Sequence, residues 1–510
     1  MKKLCLLLAL VMALLCGCSD SQPVADCSVA HQDNNNDGLC DNCSTVVIVS
    51  VDIYAINDLH GKVVDGDIFG LSHPGVDELS TYLKQAKQAN PNTIILSSGD
   101  MWQGAPESNM TEGLLVTDWM NQMGFTSMTL GNHEYDWGSE SIRKNAEQAQ
   151  FPILGINVYD SATKQRADYC DSSTLVDLGD VQIGIIGAMG DCYSSIASDK
   201  SQDIYFLTGS QLSALVIEES KKLREQGADF IIYSIHDGYG ESTDGSKIQN
   251  VSRHDISSYY DTELSNGYVD LVFEAHTHQR YVLQDQHGVY HIQGGGDNSG
   301  ISYASVIINT VTGTGEVMMK EAVTTGTYDR MDDDSVVVDL MEKYDEQISS
   351  AFKVVGNNSR LRNSYELQQL AADLYRDAGV EKWGDQYDIV LGGGFLGCRS
   401  PYEMKSGQIA YGLLQSLFPF DNQIVLCSIK GRELVSKFIE TTHSKYYMGY
   451  TAYGENLIGN VDPDATYYVV VDTYSASYSP NKMTIVEYYD EGVYARDLIA
   501  DFMGKGGWAE

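Results

Sequence analysis

Seven side chains able to bind a metal ion fall in five clusters, and each cluster directly follows a short apolar run. Asp58 and His60 follow residues 46–56, Asp100 follows 93–96, and Asn132 follows 127–130. His236 follows 230–235, while His276 and His278 follow 269–273. A run of β-branched and aromatic residues that stops at a polar turn reads as a buried strand. In an open α/β sheet, ligands bind beyond the carboxyl ends of the strands. Five strand ends carrying imidazole, carboxylate or amide therefore predict one site built from five loops, and the donor types predict a metal site in an enzyme.

The elements that must position these loops alternate along the chain. Strand-like runs alternate with helical stretches such as 76–89 and 211–226 from residue 46 to about 325, which is an α/β pattern. Residues 328–352 change character. Asp332, Asp333 and Asp334 stack acid at a helix start, and Val336, Leu340, Tyr344 and Ile348 recur four apart, predicting a linker helix. Beyond it, a helix at 361–379 and strands at 387–391, 424–429 and 467–471 predict a smaller α+β domain. At 510 residues two domains are the natural expectation. The expected boundaries are 1–18, 19–45, 46–327, 328–352 and 353–510.

The chain carries 33 basic and 71 acidic side chains, a formal charge of −38. That surface repels nucleic acid and anionic membrane faces, so neither is an expected partner. An anionic substrate then needs local positive charge, which bound divalent cations supply. Lys2 and Lys3 precede an apolar stretch at 4–15, shorter than the roughly 20 residues a spanning helix needs, so residues 1–18 read as an export signal. It ends Leu15-Cys16-Gly17-Cys18, which resembles a bacterial lipobox with Cys18 lipidated. The expected location is exported, on the cell surface or periplasmic face, with the membrane reached through the lipid anchor only.

Residues 19–45 read as a polar tether. Asp33, Asn35, Asp37 and Gly38 match the first half of a calcium loop, but Ser44 stands where a bidentate glutamate is needed. Cys27, His31, Cys40 and Cys43 offer a zinc set in the same stretch, so a plain tether, calcium and zinc all stay open. Cys170 and Cys192 bracket a strand at 181–186 and could pair in an oxidising space, while Cys398 and Cys427 read as small buried apolar residues.

The order and types of the five clusters resemble the calcineurin-like metallophosphoesterases, in the 5′-nucleotidase and UDP-sugar hydrolase branch. The matching blocks are Asn57-Asp58-Leu59-His60-Gly61, Gly99-Asp100, Gly131-Asn132-His133-Glu134, His236, and Ala275-His276-Thr277-His278, with Ala275 replacing the usual glycine. The resemblance implies a four-layer β-sandwich flanked by helices, plus a C-terminal substrate domain. It implies two divalent ions, zinc, manganese or iron, with Asp58, His60, Asp100 and His278 holding one and Asp100, Asn132, His236 and His276 the other. A hydroxide shared by the ions would attack phosphorus in line. His133 would donate charge or a proton to the transition state, oriented by Asp136.

For the second domain the resemblance implies a base held between Phe420 and Tyr474, with Arg399 and Arg362 near phosphate. Two blocks depart from the pattern. Residues 391–399 move the arginine three places on, and 477–481 replace a glycine-rich block. The implied substrate is a nucleoside 5′-monophosphate or related nucleotide. A 2′,3′-cyclic phosphodiesterase or UDP-sugar hydrolase is the enzymatic alternative, and a surface ligand-binding lipoprotein the non-enzymatic one.

Overall fold

Along the strand Ile48–Ile56, Val51, Ile53 and Ala55 point to one face and Tyr54 and Ile56 to the other, as the period of two demands. Both faces are buried, which is why this strand reads as a continuous apolar run. The chain is described here from a computed structural model covering residues 38–41, 47–65, 73–197, 199–240, 256–257, 259–394, 398–399, 401–439, 447–457, 459–477 and 483–509. The expected export signal, Cys18, Cys27, His31, Cys43 and most of the calcium-like loop lie outside these residues, as do 395–397 and 478–481.

Two six-stranded sheets form the first domain. One runs in the order Thr314–Thr324, Gly300–Asn309, Ile48–Ile56, Thr93–Ser97, Ser127–Thr129, Ile153–Leu154. The other runs Arg280–Gln284, Tyr290–Gly294, Leu271–Phe273, Phe230–His236, Gln182–Met189, Ser173–Asp177. Val51, Ile53 and Leu96 of the first sheet meet Ile185, Ile232 and Phe273 of the second in one core. Outside the first sheet pack the helices Asp77–Ala89 and Leu114–Met123, through Leu79, Leu83, Trp119 and Met120. Outside the second packs Ser210–Glu225, through Val216 and Leu223. The result is helix, sheet, sheet, helix: the four layers expected.

The stretch expected as one linker helix is broken. It forms Val336–Lys343, Asp345–Ile348 and a 3₁₀ turn Ser349–Phe352. Val336, Leu340, Tyr344 and Ile348 are all buried in the first domain's outer core, so the four-residue spacing marks the packed face correctly. The break falls at Tyr344, whose hydroxyl donates to Asp118 Oδ2 at 2.8 Å and to the Leu114 carbonyl at 3.2 Å. A local anchor outweighs helix continuity there.

The second domain holds a five-stranded sheet in the order Tyr447–Tyr450, Ile389–Gly394, Thr466–Asp472, Ile424–Lys430, Thr484–Tyr488. The helix Ser364–Trp383 covers one face, starting later than residue 361 because Asn363 and Glu366 form a capping box and Arg362–Asn363 pairs with Glu403–Met404. At Gly392 a Cβ would stand 2.1 Å from the Arg376 backbone nitrogen, so glycine lets this helix lie close on the sheet.

The pairing left open for Cys170 and Cys192 is not made; both thiols are free and buried. Cys170 Sγ faces the carbonyls of Gly155 and Ala167, and Cys192 Sγ donates to the His236 carbonyl at 2.8 Å. Each sulfur is committed to a different loop. Cys398 and Cys427 are buried. Among the described residues no helix is long and apolar enough to cross a membrane.

Candidate metal centre and substrate cleft

Ile48–Ile56, Thr93–Ser97 and Ser127–Thr129 run parallel, as do Gln182–Met189, Phe230–His236 and Leu271–Phe273. Parallel pairing brings the carboxyl ends of each set to one edge. There the backbone takes the left-handed conformation at Asp58 (φ 49°), His60 (51°), Asp100 (54°), His276 (66°) and His278 (54°). Each such residue costs of order 1–3 kcal/mol, and five of the seven expected donors carry that cost.

Side chains that the motif reading gave no role hold these loops. The Glu134 carboxylate accepts the backbone N–H of Asp100 (2.9 Å), Met101 (2.8 Å), Trp102 (3.3 Å) and Gly131 (2.7 Å), tying the second loop to the third. Asn57 Nδ2 donates to Asp58 Oδ2 at 2.6 Å and to the Gly295 carbonyl. Gln293 accepts the Gln279 N–H at 2.7 Å and donates to the Ala275 carbonyl at 3.0 Å, fixing the loop of His276 and His278. A Cβ on Gly131 would lie 2.3 Å from Asp100 Oδ1, so only glycine lets these two loops touch. Glu134 and Asn57 stand beside expected donors in the sequence, but no spacing shows that they reach across loops; Gln293 has no local signal.

The seven donors converge. His236 Nε2 lies 3.1 Å from Asp100 Oδ2 and 3.3 Å from Asn132 Oδ1, and His278 Nε2 lies 3.5 Å from Asp58 Oδ1. His60 Nδ1 faces the Gln103 carbonyl at 2.9 Å and His236 Nδ1 the Ser98 carbonyl at 2.8 Å. At each, the carbonyl accepts a hydrogen bond from Nδ1–H, which in the neutral ring leaves Nε2 with a lone pair for a metal. His60 Nε2 and His278 Nε2 then stand 3.1 Å apart. Beside the wholly buried carboxylates of Asp58 and Asp100, these gathered imidazole nitrogens make a donor set that a cation would satisfy. The residues fit a bound cation. Asp58, His60 and His278 form one three-donor group within 4.8 Å, and Asp58, Asp100 and His236 another. Burial works against ionising Asp100, but the imidazoles of His236 and His133 outweigh it and hold its carboxyl well below the usual range.

His133 stands beside the donors, its ring centre 5.2 Å from that of His60. Its Nδ1 meets Asp136 Oδ2 at 2.8 Å, and its ring stacks on Phe420 of the second domain at 5.8 Å and 23°. Burial disfavours a charged imidazole here, yet Asp136 and Asp100 hold it above the ordinary histidine range.

Five of the donors, His60, Asp100, Asn132, His276 and His278, line a cleft of about 400 Å³ that the second domain also lines, through Arg399, Phe420, Asn422 and Tyr474, with Tyr402 and Gln368. The Arg399 guanidinium lies 5.1 Å from the Phe420 ring centre. Phe420 is presented by the buried Arg496, which pairs with Asp421 and donates to the Phe418 and Phe420 carbonyls at 3.3 Å each. Nothing near Phe420 in the sequence points to Arg496. Arg362 is not among the cleft residues. Its guanidinium lies 4.4 Å over the Trp508 ring and bonds to Asn358 and Glu366, which corrects the phosphate role expected for it. A narrower recess of about 150 Å³ continues past His60 and His278 toward Lys62, Gln103 and Ser416.

Residues 51–280 match the calcineurin-like phosphoesterase family. The chain is 23% identical to protein UshA of Yersinia enterocolitica over 530 aligned positions, covering 89% of this chain and 91% of that one. It is 22% identical to a 5′-nucleotidase of Vibrio cholerae, covering 74% of this chain and 73% of that one. A 5′-nucleotidase precursor from Thermus thermophilus shares the two-domain fold, with a TM-score of 0.63 at 18% identity over 90% of this chain and 96% of that one. The chain thus carries a calcineurin-like metallophosphoesterase domain and is a phosphoesterase-type hydrolase with UshA and 5′-nucleotidase relatives.

Two substitutions separate the roles within this site. Asp100→Ala removes the carboxylate between His236 and the Asn132 loop, and bound divalent metal should fall; full metal content by elemental analysis would show the donor assignment wrong. His133→Asn should keep the metal yet lower turnover by about 10²–10³, the typical worth of one transition-state donor. Asp136→Asn should cost less, since it disturbs only orientation and protonation. Metal loss in His133→Asn would make that residue a ligand instead.

Proposed function

We propose that this chain is an exported, lipid-anchored phosphoesterase that removes phosphate from a nucleoside 5′-monophosphate or a related phosphorylated metabolite. One observation carries the reading: five of the seven expected metal donors, His60, Asp100, Asn132, His276 and His278, line a cleft that also bears Arg399, Phe420 and Tyr474, with Asp58 and His236 buried among them. Asp58, His60, Asp100 and His278 would hold one divalent cation, and Asp100, Asn132, His236 and His276 a second. Such a pair, when bound, neutralises phosphoryl charge and supplies an activated water.

The chain's own groups do the rest. Arg399 sets a fixed positive charge beside His133 in a molecule whose formal charge is −38, so it favours the anionic end of the substrate. His133, kept protonated by Asp136, donates from Nε2 toward the phosphoryl or leaving-group oxygen. Phe420 and Tyr474 offer flat apolar faces for a base, and Asn422 a polar edge. The relatives named 5′-nucleotidase support this substrate class.

A second reading has its own support. The recess toward Lys62 contains Gln103 and Ser416, whose buried Nε2 and Oγ lack hydrogen-bond partners. A UDP-sugar carries a group on each side of the scissile phosphorus, and one of these would enter that recess.

Phosphate release from adenosine monophosphate, a cyclic mononucleotide and a UDP-sugar, with manganese, zinc or cobalt added, separates the readings; silence on all three would leave a ligand-binding surface protein. Phe420→Ala combined with Tyr474→Ala should cost about 1–3 kcal/mol of stacking per ring. KM for adenosine monophosphate should then rise more than KM for a small aryl phosphate, whose kcat separately reports the lost packing of Phe420 on His133. An unchanged KM would place the base elsewhere.

The anchor has a separate test. Cys18→Ser should move the protein out of the membrane fraction in cells that process lipoproteins. Continued membrane association would point to a retained signal helix or a protein partner.

A further inference from the structure

A sixth strand ends at the edge where the metal donors gather. Gln182–Met189 runs parallel to Phe230–His236, with Met189 opposite His236, so its carboxyl end opens beside the point where His236 turns inward. The short turn Asp191–Ser195 follows and carries Cys192. That turn is firmly held. The Asp237 carboxylate accepts the N–H of Asp191 and of Gly238 at 2.8 Å each, and the Gly190 N–H donates to the His236 carbonyl at 3.1 Å.

Cys192 is 6% exposed, and the mechanism above gives it no part. Its sulfur and one ring nitrogen from each of His236 and His276 lie within 4.8 Å of one another. Bonds from zinc to nitrogen and to sulfur are about 2.0–2.1 Å and 2.3 Å, so three donors spread this way can close on one ion with a small side-chain shift. His236 and His276 are two of the four residues assigned to the second cation. The other two, Asp100 and Asn132, offer hard oxygen, which suits manganese or magnesium; a thiolate is soft and favours zinc or cadmium.

The geometry points to Cys192 as a sulfur donor at the second cation position, engaged by thiophilic divalent ions and left idle by manganese. This rests on the two-cation reading above. As such an ion binds, the S–H bond breaks, sulfur keeps the electron pair and forms the bond to the ion, and the proton passes to solvent. The hydrogen bond to the His236 carbonyl is given up in exchange. The two cation positions then differ in kind. The first offers only nitrogen and oxygen, and the second adds one sulfur that draws thiophilic ions to it.

The test uses the full chain with Cys27, Cys40 and Cys43 changed to serine, so that the tether thiols are silent, and with cadmium loaded in place of its own ions. An ultraviolet thiolate-to-cadmium charge-transfer band should be present, and X-ray absorption should find sulfur at one of the two cadmium ions. Cys192→Ser in that background should abolish the band while total cadmium by elemental analysis stays the same. Manganese content should be equal with and without Cys192, which also reports that the variant is folded. Cadmium bound with no band and no sulfur neighbour overturns the proposal, as does a band that survives Cys192→Ser. If no cadmium binds at all, the two-cation reading fails with it.

Discussion

Two carboxylates and an imidazole buried to the last few square ångströms set the terms for the rest of this molecule. Asp58, Asp100 and His236 have at most 1% of their surface in water, and an ionised carboxylate in such a place is tolerated only where positive charge faces it. The surrounding imidazoles answer that need in part, and a cation completes it. Five left-handed backbone positions are maintained at these donors. Glu134 absorbs four backbone N–H groups that the irregular loops would otherwise leave unpaired. The two sheets matter because they hold these loop ends within reach of one another.

The second domain touches the edge of the centre at His133. His133 is tied to Asp136 on one side of its ring system and stacks against Phe420, which in turn lies beside Arg399. Phe420 therefore touches the group that would donate to the reacting phosphate while also forming the wall of the cleft. Its position depends on Arg496, whose guanidinium is almost wholly enclosed and pairs with Asp421. A change in how the cleft holds its ligand is then felt at the imidazole, and Arg496 becomes a structural determinant of both.

How much of this could be read from residues alone follows from distance along the chain. The five strand ends were legible because each donor sits within a few residues of an apolar run, and parallel strands put like ends together without further information. The helix Asp77–Ala89 and the face carrying Val336, Leu340, Tyr344 and Ile348 were legible by periodicity. The break at Tyr344 was not, since it comes from a hydroxyl that reaches Asp118 across more than two hundred residues. Arg362 illustrates the same limit. An arginine ahead of a helix looks free to meet phosphate, and only the fold shows Trp508 beneath it. Cys170 and Cys192 bracket one strand but face opposite commitments, so their nearness in sequence carried no pairing.

Charge explains why the two walls of the cleft can diverge separately. A formal charge of −38 repels any anionic substrate at long range, but salt screens exposed charges beyond roughly 8 Å under physiological conditions. What an arriving phosphate meets is local: Arg399, the Lys62–Asp297 pair and His133, whose imidazole Asp136 and Asp100 hold above the ordinary histidine range. These groups favour the phosphoryl end of any substrate without selecting its remainder. Selection is left to Phe420, Tyr474, Asn422 and the recess beside Gln103 and Ser416. The donor loops cannot drift, because a change in any one leaves a buried charge unpaired. The second domain's residues that face the cleft carry no such penalty.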